Sequence, residues 1–92
     1  MFQAIAVHHA RPEHVGDFIA FIGRVRAAVG DPPGLLEFSS WRNGDDPTLV
    51  AVSRWESEAD FRAALPLIMS LGDERRAEWS AQPDDVFTGA TF

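Results

Sequence analysis

Few side chains in this sequence are of types that do chemistry at neutral pH. His8 is the best base on offer, because an unperturbed imidazole titrates at about 6.5 and can take a proton near neutrality. It alternates onto the same strand face as Phe2, Ala4 and Ala6, and the two alanines leave room beside it for a flat ligand. A strand-end histidine without a role has the same local pattern. Trp55 can stack on an aromatic ligand and donate its indole N–H to an oxyanion, or pack at a strand–helix junction and bury a large area. His8 and His9 are neighbours on a strand and point to opposite faces, and His14 is the only other histidine. With no cysteine in the chain, no metal site is expected. Asp45-Asp46 and Asp84-Asp85 read as solvated turn residues. Neither a glycine-rich phosphate loop nor a Ser/His/Asp arrangement is present.

The elements that must position these groups follow from periodicity. Phe2 to Ala10 alternates with period two, a strand, and Arg11-Pro12 ends it. Between Glu13 and Val29 the residues Val15, Phe18, Ile19, Ile22, Val25 and Val29 form one stripe of an amphipathic helix, with Phe21 at its edge. Gly30-Asp31-Pro32-Pro33-Gly34 is a firm stop. Leu35 to Arg42 and Thr48 to Trp55 read as an antiparallel hairpin around Asn43-Gly44-Asp45-Asp46-Pro47. Ser57 is the expected N-cap of a second helix, with Asp60 three residues on, and Pro66 should kink or restart that helix. Asp73 to Trp79 reads as a last helical piece carrying Arg75 and Arg76, and Val86 to Phe92 as the closing strand. The order is βαββαβ: an α+β, ferredoxin-like fold with helices on one face of a four-stranded antiparallel sheet.

At 92 residues the chain is long enough for one domain, 1–92, with a thin core. Its net charge of −6, with arginine as the only basic residue besides histidine, opposes phosphate backbones and anionic membranes. No nucleic-acid or membrane partner is expected. The N-terminus opens directly into strand-like residues, so a cytoplasmic location is the expectation.

Apolar residues occupy both faces of the strands. Ile5 and Val7 oppose Phe2, Ala4 and Ala6; Leu49 and Ala51 oppose Val50 and Val52. Two helices cover one face only, so a second copy of the chain placed sheet against sheet is the expected cover, a homodimer.

The segment Gly34-Leu35-Leu36-Glu37-Phe38, with Val52-Ser53-Arg54-Trp55-Glu56-Ser57-Glu58-Ala59-Asp60-Phe61, resembles the antibiotic biosynthesis monooxygenase family of dimeric α+β barrels. That resemblance implies a cofactor-independent oxygenase of a small hydroxylated aromatic, polyketide-like or quinol compound. Trp55 and Arg75 are the residues it carries across as catalytic, with His8 as the base. A pocket between sheet and helices would be lined by Phe2, Ala4, Ala6, Phe61 and Met69. The aromatic-polyketide oxygenases of the family place an Asn and a Tyr where this chain has Ala51 and Phe61. Its haem degraders place a Trp where this chain has Ala64, and a downstream haem-ligating His where this chain has no histidine after His14. The expected enzyme therefore uses no cofactor. Two alternatives share the fold: a non-catalytic small-ligand-binding or dimeric interaction domain, and an isomerase or decarboxylase.

Overall fold

The computed structural model describes residues 1–92. Strands β1 (Phe2–Ala10), β2 (Leu35–Arg42), β3 (Thr48–Trp55) and β4 (Ser80–Ala90) alternate with helices α1 (Val15–Val29) and α2 (Glu58–Ile68) in the expected βαββαβ order. Single 3₁₀ turns lie at Pro12–His14, Gly72–Glu74 and Ala77–Trp79. The sheet order is β2-β3-β1-β4, with every neighbouring pair antiparallel. No helix is long and apolar enough to cross a membrane.

Register assigns the faces. Phe2, Ala4, Ala6 and His8 stand opposite Trp55, Ser53, Ala51 and Leu49, and this face lies beneath the helices. Ile5 and Val7 stand opposite Val52 and Val50 on the uncovered face. The core is split in two. At one end α1 packs Val15, Phe18 and Phe21 on Ala10 and Leu49; at the other α2 packs Ala64 on Phe2 and Trp55. Between them the two inner strands carry only small side chains, Ala4 and Ala6 on β1 and Ala51 and Ser53 on β3.

Three local details differ from expectation. The buried stripe of α1 is Val15, Phe18, Phe21 and Val29, so the helix is rotated to bring in Phe21 and leave Ile19 48% exposed. Two phenylalanines bury more apolar surface against Trp79 than an isoleucine would. The segment around Arg75 is not one helix: Arg75 itself is extended, at φ −80° and ψ 127°, between two 3₁₀ turns. β4 begins at Ser80, six residues before the alternating apolar pattern starts. Its first half pairs irregularly: Val7 lies opposite Asp85, His9 opposite Gln82 and Ala10 opposite Ser80, so β4 carries extra, bulged residues. Pro83 is tolerated there because β4 is an edge strand and its missing N–H leaves no inner ladder bond broken.

Both helix junctions behave as their residues dictate. Ser57 Oγ accepts the Asp60 backbone N–H at 3.2 Å and donates to the Asp60 carboxylate at 2.9 Å, closing the first turn of α2. Pro66 sits inside α2, which runs on for two residues to Ile68. Gly34, at φ +81°, turns the chain into β2, and a Cβ there would collide with the Asp60 side chain. Gly34→Ala should therefore lower stability by roughly 1–3 kcal/mol, from a left-handed conformation that alanine adopts poorly plus the clash. Chemical denaturation checks it; an unchanged midpoint contradicts this packing.

Candidate functional site

His8 lies on the helix-covered face of β1 with its side chain 12% exposed, its ring 4.9 Å from that of the fully buried Phe18. It lies two residues from the end of β1, where the pairing with β4 shifts register, and its ring meets Phe18 of α1. Asp84, in the bulged half of β4, reaches the same place: its Oδ2 is 3.1 Å from His8 Nδ1. The angle there makes no hydrogen bond, so the contact is electrostatic, and Nδ1 is buried with no other partner. Asp84 is in turn gripped by Arg75, whose Nη1 and Nη2 donate to Oδ2 and Oδ1 at 2.6 and 2.7 Å. Such two-pronged pairing fixes both position and orientation. Arg75 Nη2 also donates to Ser80 Oγ at 3.2 Å, and the guanidinium carbon sits 4.8 Å from the centre of the Phe18 ring. Extended backbone at Arg75, where a helix was expected, is what lets the side chain run back along β4.

Burial acts to raise the Asp84 pKa, but the contacts with His8 and Arg75 outweigh it and hold the carboxyl well below the ordinary carboxylate range. Asp84 is a fixed anion at neutral pH. Asp85, one residue on, faces the other way and bonds His9 Nε2 at 2.8 Å. The two Asp-Asp residues expected in a solvated turn thus belong to a strand and pair one each with the two histidines. Asp84 and Phe18 are the site residues that sequence reasoning missed; had β4 been read from Ser80, opposite alternation of 84/85 and 8/9 would have pointed to the first.

The other expected site residues divide. Trp55 is fully buried, and its indole N–H is committed to Ser53 Oγ at 2.9 Å. Phe61 packs edge-on to it at 5.9 Å and against Phe2 at 5.3 Å. His8 and this aromatic cluster are separated by six residues of strand, roughly 20 Å. Ala4 and Ala6 form the floor between, and they are only half-buried, like Ile5 and Val7 on the uncovered face. On β4, Val86, opposite Ala6, is 64% exposed, so the helix side of the sheet lies open along that edge. Met69 caps the end of α2 with 67% exposure and joins neither group.

The covered face thus has an alanine floor on β1, with the imidazole of His8 toward one end and the Phe2–Trp55–Phe61 cluster at the other. No three His, Asp or Glu side chains converge at metal-binding distances. A more open depression of about 560 Å³, bordered by Arg75, Ser80, Gln82 and Pro83, reaches the ion pair from the outside.

The ion pair has a pH signature. A depressed carboxyl pKa contributes stability that is complete above the unfolded value, about 4, and is lost as pH falls toward the folded one. Asp84→Asn should cost roughly 1–3 kcal/mol at pH 7, with the gap to wild type narrowing below about pH 4. Urea titrations from pH 7 to pH 2.5 measure it; a pH-independent gap contradicts the pairing.

Comparison with known proteins agrees with this architecture. The chain superimposes on Rv0793 from Mycobacterium tuberculosis with a TM-score of 0.84 at 17% identity, covering 99% of this chain and 94% of that one. A putative antibiotic biosynthesis monooxygenase from Nitrosomonas europaea gives 0.77 at 17% identity, covering 99% and 98%. The MhuD R26S mutant, solved with two manganese protoporphyrin IX bound per active site, gives 0.75 at 18%, covering 99% and 94%. At these identities the likeness is one of fold. No curated protein sequence matches. The sequence model of the family described as antibiotic biosynthesis monooxygenase matches residues 1–65, well over half the chain, and the chain belongs to that family.

Proposed function

We propose that this protein is a cofactor-independent monooxygenase that oxidises a small hydroxylated aromatic or quinol compound with O₂. The observation that carries the reading is His8 held between Phe18 and the Arg75-clamped Asp84, beside the half-open floor of Ala4 and Ala6. His8 Nε2 takes the phenolic or benzylic proton, and Asp84 stabilises the imidazolium so formed. The electron-rich anion passes one electron to O₂, and the radical pair joins to form a carbon–peroxide bond. The peroxide takes up the proton, and loss of the second benzylic hydrogen with O–O cleavage leaves a ketone and water. Overall a CH₂ and O₂ become C=O and H₂O. Phe2 and Phe61 wall the ligand; Trp55 shapes the floor by anchoring Ser53, and Arg75 acts through Asp84. Met69 at the end of α2 would meet only a long ligand.

A second reading, a ligand-binding domain without turnover, is favoured by one observation: the indole N–H of Trp55 is already spent on Ser53, and no tyrosine replaces it as an oxyanion donor. Oxygen uptake with a hydroxylated dihydroanthracenone separates the two. The enzyme reading expects uptake above autoxidation that falls at least tenfold in His8→Ala. Tight binding with uptake at the autoxidation rate supports the binder, and anaerobic conversion of the substrate would indicate an isomerase or decarboxylase.

We also propose that the working form is a homodimer joined through the uncovered sheet face. Ile5, Val7, Val50 and Val52 are only half-buried there, and Trp41 and Phe87 are 52% and 61% exposed. Light scattering should give twice the chain mass of 10.2 kDa for the wild type and a shift toward monomer for Val52→Asp. A monomeric wild type at micromolar concentration overturns this.

A further inference from the structure

We propose that the groove between α1 and β2 is a separate binding site for a small apolar molecule that ends in a single carboxylate. The groove has a volume of about 430 Å³, within the range of small-ligand sites. Its lining is apolar: Ile19 and Ile22 from α1, Phe38 from β2, and Leu49 beneath. Leu49 stands opposite His8 on β3, so the groove backs onto the first site, but His8, Asp84 and Arg75 are not among the residues that line it.

Two further observations define the occupant. Gly23 lies in the middle of α1, where glycine costs about 1 kcal/mol relative to alanine. Neither backbone nor packing requires it: its φ is ordinary and an added Cβ would meet nothing within 4 Å. Its effect is to keep the groove wide. The rim is cationic. Arg24, Arg54, Arg62 and Arg75 each meet a carboxylate; of the four arginines that meet none, Arg26 and Arg42 stand on either side of the groove. Arg26 donates one N–H to Gly30 O at 2.7 Å and lies over the Phe38 ring at 5.4 Å. Arg42 donates to the carbonyls of Asp46 and Asp45, both at 2.9 Å, while the Asp46 carboxylate is turned to Thr48. Glu37, next to the groove on β2, is engaged by Arg54. In a chain of net charge −6, two guanidinium groups with spare donors at one apolar groove match a carboxylate on an apolar body.

The probe is 2-naphthoate, with neutral 2-naphthamide as its control, followed by amide NMR shifts. The expected result is saturable movement of the Gly23 and Phe38 signals with naphthoate, and affinity at least tenfold weaker for the amide. Gly23→Leu should lose at least tenfold in naphthoate affinity while its melting temperature stays level or rises. Arg26→Gln, an exposed and conservative change, should weaken naphthoate but not naphthamide. Absence of saturable shifts, shifts centred on His8 and Arg75 instead, equal affinity for the amide, or undiminished binding in both variants would each overturn the proposal.

Discussion

The two-pronged pairing of Arg75 with Asp84 is the contact on which the rest of the site depends. It ties the irregular segment after α2 to the bulged start of β4. The guanidinium then lies on Phe18, the one phenylalanine that is completely buried, so the pair is also seated on the core of α1. His8 closes the arrangement from β1. Four elements meet in one polar cluster, and its low exposure makes the charges matter more than those of the surface pairs Arg24–Glu74 and Arg62–Glu58.

Much of the architecture was legible because it rests on local rules. Strict alternation in Phe2–Ala10 assigns His8 and His9 to opposite faces, and the pairing register agrees. Ser57 caps α2, and the proline- and glycine-rich stretch after Val29 ends α1. What escaped was set by contacts distant in sequence. Gln82-Pro83-Asp84-Asp85 has the composition of a turn, and only the partner β1 draws it into a strand through bulges. Arg75 reads as helical until its carboxylate partner is placed beside it. Trp55 was open to two roles, and the hydroxyl two residues before it in the same strand decided where its N–H points.

The split core is the feature that joins fold to function. Were the centre of the covered sheet face lined with leucines, the two clusters would merge and no floor would remain. Ala4, Ala6, Ala51 and Ser53 keep that centre low, and both ends supply rigid aromatic walls. Membership of the antibiotic biosynthesis monooxygenase family fits a fold that offers such a floor. The family's Asn and Tyr positions hold Ala51 and Phe61 here, so in the proposed oxygenase acid–base work is assigned to the imidazole of β1 rather than to donors around Trp55. That shift of the polar centre from one end of the floor to the other is the central claim.

It is tested most directly by a crystal structure of the protein bound to a phenol that cannot be oxidised further, such as a hydroxyanthraquinone. The account predicts the ring lying over Ala4 and Ala6, with its hydroxyl within hydrogen-bonding distance of His8 Nε2 and the Arg75–Asp84 pair intact. A ligand seated with its hydroxyl on Trp55 or Ser53, and His8 turned away from it, would contradict the claim.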